Sequence, residues 1–153
     1  MPRARRKARS PAHASLGTYR DDPLYPRIVR AVDALLHRGK VVAPVEVLVL
    51  MGMLEPARLE DWRFGRVPYL ERVIRGSLPR LSRLLRILRF HAHDLKLVPS
   101  VIAYVRHGKG PRQRLRFTKT GDPPLEESYS RHFVWPGKRP FHAPDRDAAD
   151  LTK

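Results

Sequence analysis

Between residues 77 and 95 the alternation of leucine and arginine has the period of a helix. Placed at about 100° per residue, Leu78, Leu81, Leu84, Leu85, Leu88, Ala92 and Leu95 share one side. Arg83, Arg86 and Arg89 share the other, with Arg80 on its flank. Ser77 suits an N-cap and Pro79 the first turn. A stripe this wide predicts the central helix of a domain. Ile87 and Phe90 interrupt its polar side. Two readings follow: a helix buried on two sides, or an arginine surface carrying an exposed aromatic.

The same period runs through Ile28, Val29, Val32, Leu35 and Leu36 and stops at Gly39. From there a glycine is repeatedly followed by a proline: Gly39 by Pro44, Gly52 by Pro56, Gly65 by Pro68, Gly76 by Pro79. Glycine suits the residue just past a helix end and proline the first turn of the next. Five helices are predicted, at about 25–38, 44–51, 56–64, 67–75 and 77–95. Beyond Leu97 the period falls to two. Strands are expected at 101–106 and 112–119, joined by the five-residue loop His107-Gly108-Lys109-Gly110-Pro111 into a β-hairpin at about 101–119. With Arg106 opposite Arg112, Val101, Ala103, Val105, Leu115 and Phe117 face the core. Ile102, Tyr104, Arg106, Arg112, Arg114 and Arg116 then face outward. Asp122 caps a short helix to about residue 131, docked by Leu125, Tyr129 and Phe133. The fold class is mainly α with a small β-hairpin, a compact helical domain in a winged-helix-like order. Its parts are a disordered basic arm at 1–22, one domain at 23–135 and a loose tail at 136–153.

A chain of 153 residues is long enough for one domain with a real core, and it has no cysteine, which excludes disulfides and thiolate metal sites. Residues 1–20 lack the apolar stretch of a secretory signal; their arginine-rich, acid-free composition loosely resembles an organellar transit peptide and equally a nucleic-acid-binding arm. The longest near-apolar run, 41–54, holds Pro44 and Glu46 and is too short to span a bilayer, so a cytoplasmic protein without a membrane partner is expected. Charge sharpens the picture. The net charge is +16, and residues 1–20 and 76–120 carry essentially all of the excess, the latter with eleven basic side chains against one acidic. Such concentration points to a polyanionic partner, most often nucleic acid. The preference for arginine, 24 of 31 cations, can also follow from coding bias alone.

Catalytic and metal motifs are weak. His91 and His93 stand two apart on a helix and point away from each other, so they cannot share an ion. Gly108-Lys109-Gly110 lacks P-loop spacing, although a basic loop tip can touch phosphate. His107, Lys119, Asp122, Glu126, Glu127 and His132 form the one catalytic cluster worth weighing, for a hydrolase or nuclease, but capping explains the acids. No cofactor is expected. Residues 44–64 have two short helices and a turn glycine but fit a helix-turn-helix poorly: Arg58 and Asp61 fall where apolar residues belong, and Glu60 and Asp61 suit phosphates poorly.

The run 61–74, DWRFGRVPYLERVI, and the run 115–123, LRFTKTGDP, resemble a group of small bacterial proteins with no assigned activity, over about residues 25–134. The resemblance implies a bacterial cytoplasmic context and carries over no site residue. The reading is therefore a non-catalytic nucleic-acid-binding protein, DNA before RNA. Its contacts are expected from Arg80, Arg83, Arg86 and Arg89 on the helix, and from Tyr104, Arg106, Lys109, Arg112, Arg114, Arg116 and Lys119 on the hairpin. Arg5, Arg6 and Lys7 would add the arm. Arginines at alternate strand positions stand roughly 6–7 Å apart, which suits successive phosphates, and Tyr104 could stack on an unpaired base. The alternative is a protein-interaction subunit that binds an acidic partner.

Overall fold

The computed structural model describes residues 17–143. Five α-helices, α1 (Tyr25–Arg38), α2 (Pro44–Leu50), α3 (Pro56–Arg63), α4 (Leu78–Asp94) and α5 (Pro123–Ser130), are joined by three short strands, β1 (Val41–Val42), β2 (Val98–Val101) and β3 (Arg131–Val134). Every helix starts at a proline in its first or second position, where the missing N–H would have had no intrahelical partner. The ends are equally local. Gly52 (φ +77°) closes α2 with Gly52 N–H on Val49 O at 3.0 Å and Met53 N–H on Leu48 O at 2.9 Å. Gly65 (φ +75°) does the same for α3. α4 closes in this manner without a glycine: Lys96 takes φ +63°, and Leu97 N–H reaches Ala92 O at 3.0 Å.

α4 is the central element. Leu81, Leu84, Leu85, Ile87, Leu88, His91 and Ala92 are all buried, so the helix is covered on two sides. Phe90 is half-buried, its ring 5.5 Å from that of Tyr19. The alternative of an arginine surface with an exposed aromatic is not what the fold builds. Of the expected stripe, Leu78 stays exposed.

The sheet is not the expected hairpin. β3 lies in the middle, antiparallel to β1 (Val42 opposite Phe133) and to β2 (Pro99 opposite Phe133). Residues 131–134 continue straight out of α5 as a strand, and Phe133 is buried there. Val101 ends β2, and residues 102–119 contain a single bridge, Val105 opposite Arg114, with Arg106 N–H on Gln113 O at 2.8 Å and Leu115 N–H on Tyr104 O at 2.8 Å. The loop is thus one residue longer than expected, and the pairing slips by one. A slip of one exchanges the faces of a strand. Tyr104 turns inward beside Leu115 and Phe117, while Val101, Ile102 and Ala103 are exposed.

An aromatic cluster fixes this register. Trp62, wholly buried on α3, lies 5.4 Å from Tyr104 and 4.9 Å from Phe117, and Phe117 stacks on Tyr129 at 5.2 Å. Trp62 Nε1–H donates to Arg116 O at 2.7 Å. The same segment accounts for the missing fourth helix. Leu70 N–H and Glu71 N–H donate to Arg116 O and Phe117 O, at 3.1 and 2.9 Å. Only a 3-10 turn, Leu70–Val73, forms in the place expected for a helix at 67–75.

Both ends of the domain reach further than expected. Residues 17–22, assigned to the arm, are folded: Tyr19–Asp21 is a 3-10 turn, and the buried Tyr19 donates its hydroxyl to Asp94. In the tail, Phe141 is buried with its ring 5.3 Å from Trp135, and Lys40 Nζ donates to Gly137 O at 2.9 Å. The basic cluster Arg3, Arg5, Arg6, Lys7 and Arg9 lies outside the described residues, as does 144–153.

Candidate nucleic-acid interface

α4 turns a narrow strip of its surface outward. Arg86 and Arg89 are exposed on it. Arg83 is drawn inward, its Nε 2.8 Å from Asp22 Oδ2, with both side chains largely buried at 20% and 10% exposure. Arg80 is half-buried, with its Nε enclosed. Of the four arginines expected to form a surface, the fold presents two and uses Arg83 to tie residue 22 to the core.

Beside Arg86 and Arg89 lies a cleft of about 480 Å³ between α4, α5 and β3. Ser82, Ser128 and Arg131 complete its polar lining with Asp122, and Leu85, Leu88, Leu125 and Phe133 contribute apolar surface. Arg131 is a cation the sequence reading did not select. Its position at the end of a helix concealed it, because the start of β3 depends on pairing with two remote strands.

Across α5 a second cleft, of about 600 Å³, is lined by Arg114 and Arg116 together with Glu126, Glu127 and Ser130. On a helical wheel Pro124, Leu125 and Ser128 lie on one side of α5, and Pro123, Glu126, Glu127 and Ser130 on the opposite side. The helix therefore separates an α4 arginine pair from a 114–116 arginine pair. The acids on α5 are committed elsewhere. Glu126 accepts from Phe117 N–H, Thr118 N–H and Thr118 Oγ1–H, the last two at 2.7 Å, and holds the aromatic segment in place. Glu127 pairs with Arg131 at 2.8 Å. Asp122 caps α5 through Leu125 N–H at 3.2 Å.

The remaining expected contacts divide. Arg112, Lys109 and Lys119 are exposed. Arg106 folds back over its own loop, donating to the carbonyls of His107 and Pro111 at 3.4 Å and to that of Lys109. Its guanidinium shapes the loop and does not stand out from it. Tyr104 is corrected: it is 5% exposed and packed between Trp62 and Phe117, so its ring has no open face for a base. Arg5, Arg6 and Lys7 lie outside the described residues.

The polar cluster weighed for catalysis separates as well. Glu126, Glu127 and Asp122 have the partners given above, Lys119 lies in an exposed turn, and His107 and His132 come together in a different cleft with Glu46 and Arg63. No helix among the described residues is long and apolar enough to cross a membrane. Comparison with protein-family models, with curated proteins and with solved structures finds no match for this chain.

Proposed function

We propose that the protein binds nucleic acid, DNA in the first instance, without catalysis, in the bacterial cytoplasm that its sequence resemblance implies. The observation that carries this reading is the pair of arginine-lined clefts on either side of α5, Arg86 and Arg89 in one, beside the Glu127-paired Arg131, and Arg114 and Arg116 in the other. Guanidinium groups match phosphate oxygens two at a time. Helices followed by the basic segment 102–119 suggest a winged-helix layout by analogy of order alone. Under this reading binding is electrostatic and largely indifferent to sequence, with the exposed Arg112, Lys109 and Lys119 extending the surface. Fluorescence anisotropy on a labelled duplex tests it. With about six phosphates contacted, log K against log salt should fall with a slope of roughly −5, by counterion release at about 0.9 per contact. Absence of binding at low salt would overturn the reading in favour of an acidic protein partner.

A further inference from the structure

The polar groups left unused by that interface gather in one place. A cleft of about 260 Å³ is lined by Glu46 from the first turn of α2, Arg63 from the last turn of α3, Tyr104, His107 and His132, with Val41, Ile102 and Val105 among its apolar walls. Arg63 is its hub. The guanidinium lies 4.9 Å from the centre of the Tyr104 ring, Nη1 is 3.3 Å from His107 Nε2, and the Arg63 carbonyl accepts His107 N–H at 2.7 Å. Tyr104 Oη is 2.7 Å from His132 Nε2.

These contacts set the protons. A guanidinium only donates, so His107 Nε2 is the acceptor in this contact. Burial pushes the Tyr104 phenol up to about 12, against the lowering effect of Arg63 and with a smaller push from Glu46. The phenol keeps its proton and, being a stronger acid than a neutral imidazole N–H, donates it to His132 Nε2. Burial and the Arg63 charge hold His132 below the usual histidine range, and with Nε2 accepting from the phenol its ring hydrogen sits on Nδ1. Both Nε2 lone pairs are engaged, and neither imidazole is poised as a base. The cleft is lined by two imidazoles and a guanidinium, with Glu46 as its carboxylate. A site rich in donors takes a ligand rich in acceptors, and its volume suits a head group with the first few atoms behind it.

We propose that this cleft binds a phosphomonoester, with Arg63 as the charge partner and the ring N–H groups of His107 and His132 as donors. None of the three residues lines either of the arginine clefts beside α5, so this site and the nucleic-acid interface stand or fall separately.

The test is a titration of the full chain at neutral pH and fixed ionic strength, followed by the imidazole NMR resonances of His107 and His132. The probes are inorganic phosphate, a 5′-phosphorylated trinucleotide and the same trinucleotide with a 5′-hydroxyl. Inorganic phosphate should shift both imidazoles, and Arg63→Gln should weaken it by about tenfold or more, the value of a charge-assisted contact. Arg58→Gln, which removes a charge from the same helix where it faces Asp61, should stay within about twofold. Glu46→Gln should tighten binding, because it removes the carboxylate that repels the anion. His107→Gln changes an exposed residue and keeps the test decisive if Arg63→Gln does not fold; it should weaken the response read at His132. Binding of inorganic phosphate with the phosphorylated trinucleotide silent assigns the site to small phosphorylated molecules, and binding of both assigns it to strand ends as well. No shift with any probe, an equal response to the 5′-hydroxyl trinucleotide, or an equal loss in Arg58→Gln would overturn the proposal.

Discussion

Glu71 accepts a hydrogen bond from the Tyr129 hydroxyl at 2.8 Å, at the edge of the aromatic cluster. Burial pushes its carboxyl above the usual range, the Tyr129 hydrogen bond opposes this and the nearby Glu126 charge adds to it. The folded value lies above the unfolded one, so the contribution of Glu71 is fully present below the unfolded value, near 4.5, and is lost as pH rises through the folded value. Glu71→Gln keeps an acceptor for Tyr129 and removes the charge that burial penalises. Its melting temperature at neutral pH should rise above that of the wild type by a few degrees at most. Near pH 4 it should match the wild type, and a scan of melting temperature against pH checks both ends. Single residues were legible where their environment is local: Ser77 and Asp122 cap α4 and α5 through Arg80 N–H and Leu125 N–H. Tyr104 was not, because its face depends on the parity of a loop whose length is set by Arg106 and by contacts with α3, and one residue reverses it.

Among the elements, helix boundaries were legible and the strands were not. Prolines at helix starts and glycines at two of the ends act within a few residues, whereas β3 exists only because β1 and β2 pair with it. The segment 67–75 has a helical pattern but gives two N–H groups to residues 116 and 117, a partnership invisible in the pattern. α4 provides two checks. Leu88→Ala should cost about 2–5 kcal/mol, the range for a buried leucine, while the exposed Arg86→Ala should stay within about 0.5 kcal/mol. Urea denaturation measures both, and the reverse ranking would mean that α4 is turned the other way. At its end, Lys96 holds a left-handed conformation at φ +63° that glycine adopts without steric penalty. Lys96→Gly should stabilise by about 0.5–1 kcal/mol in the same assay, after the greater freedom glycine has in the unfolded chain.

For the molecule as a whole, charge was legible as an amount and a segment, and only the fold divides it into surfaces. Of the cations between 76 and 120, Arg83 and Arg106 are taken up by Asp22 and by loop carbonyls, while Arg131, from a segment without excess charge, joins Arg86 and Arg89. Two arginine pairs, Arg86 with Arg89 and Arg114 with Arg116, line clefts on either side of α5, and this arrangement fixes how they should act together. A phosphate contact at each of Arg86 and Arg89 contributes about 0.9 to the salt slope, so the double variant Arg86→Ala with Arg89→Ala should flatten it by about 2. Arg114→Ala with Arg116→Ala should do the same from the other side of α5. Because the two pairs line different clefts, the fourfold variant should lose the sum, about 4 of the wild-type slope. The losses should be alike on duplexes of different sequence, since backbone contacts carry no base information. Anisotropy titrations of the wild type, both double variants and the fourfold variant across a salt series measure all of this. A double variant that leaves the slope unchanged removes its cleft from the interface, and two such variants would leave DNA binding to surfaces other than those beside α5.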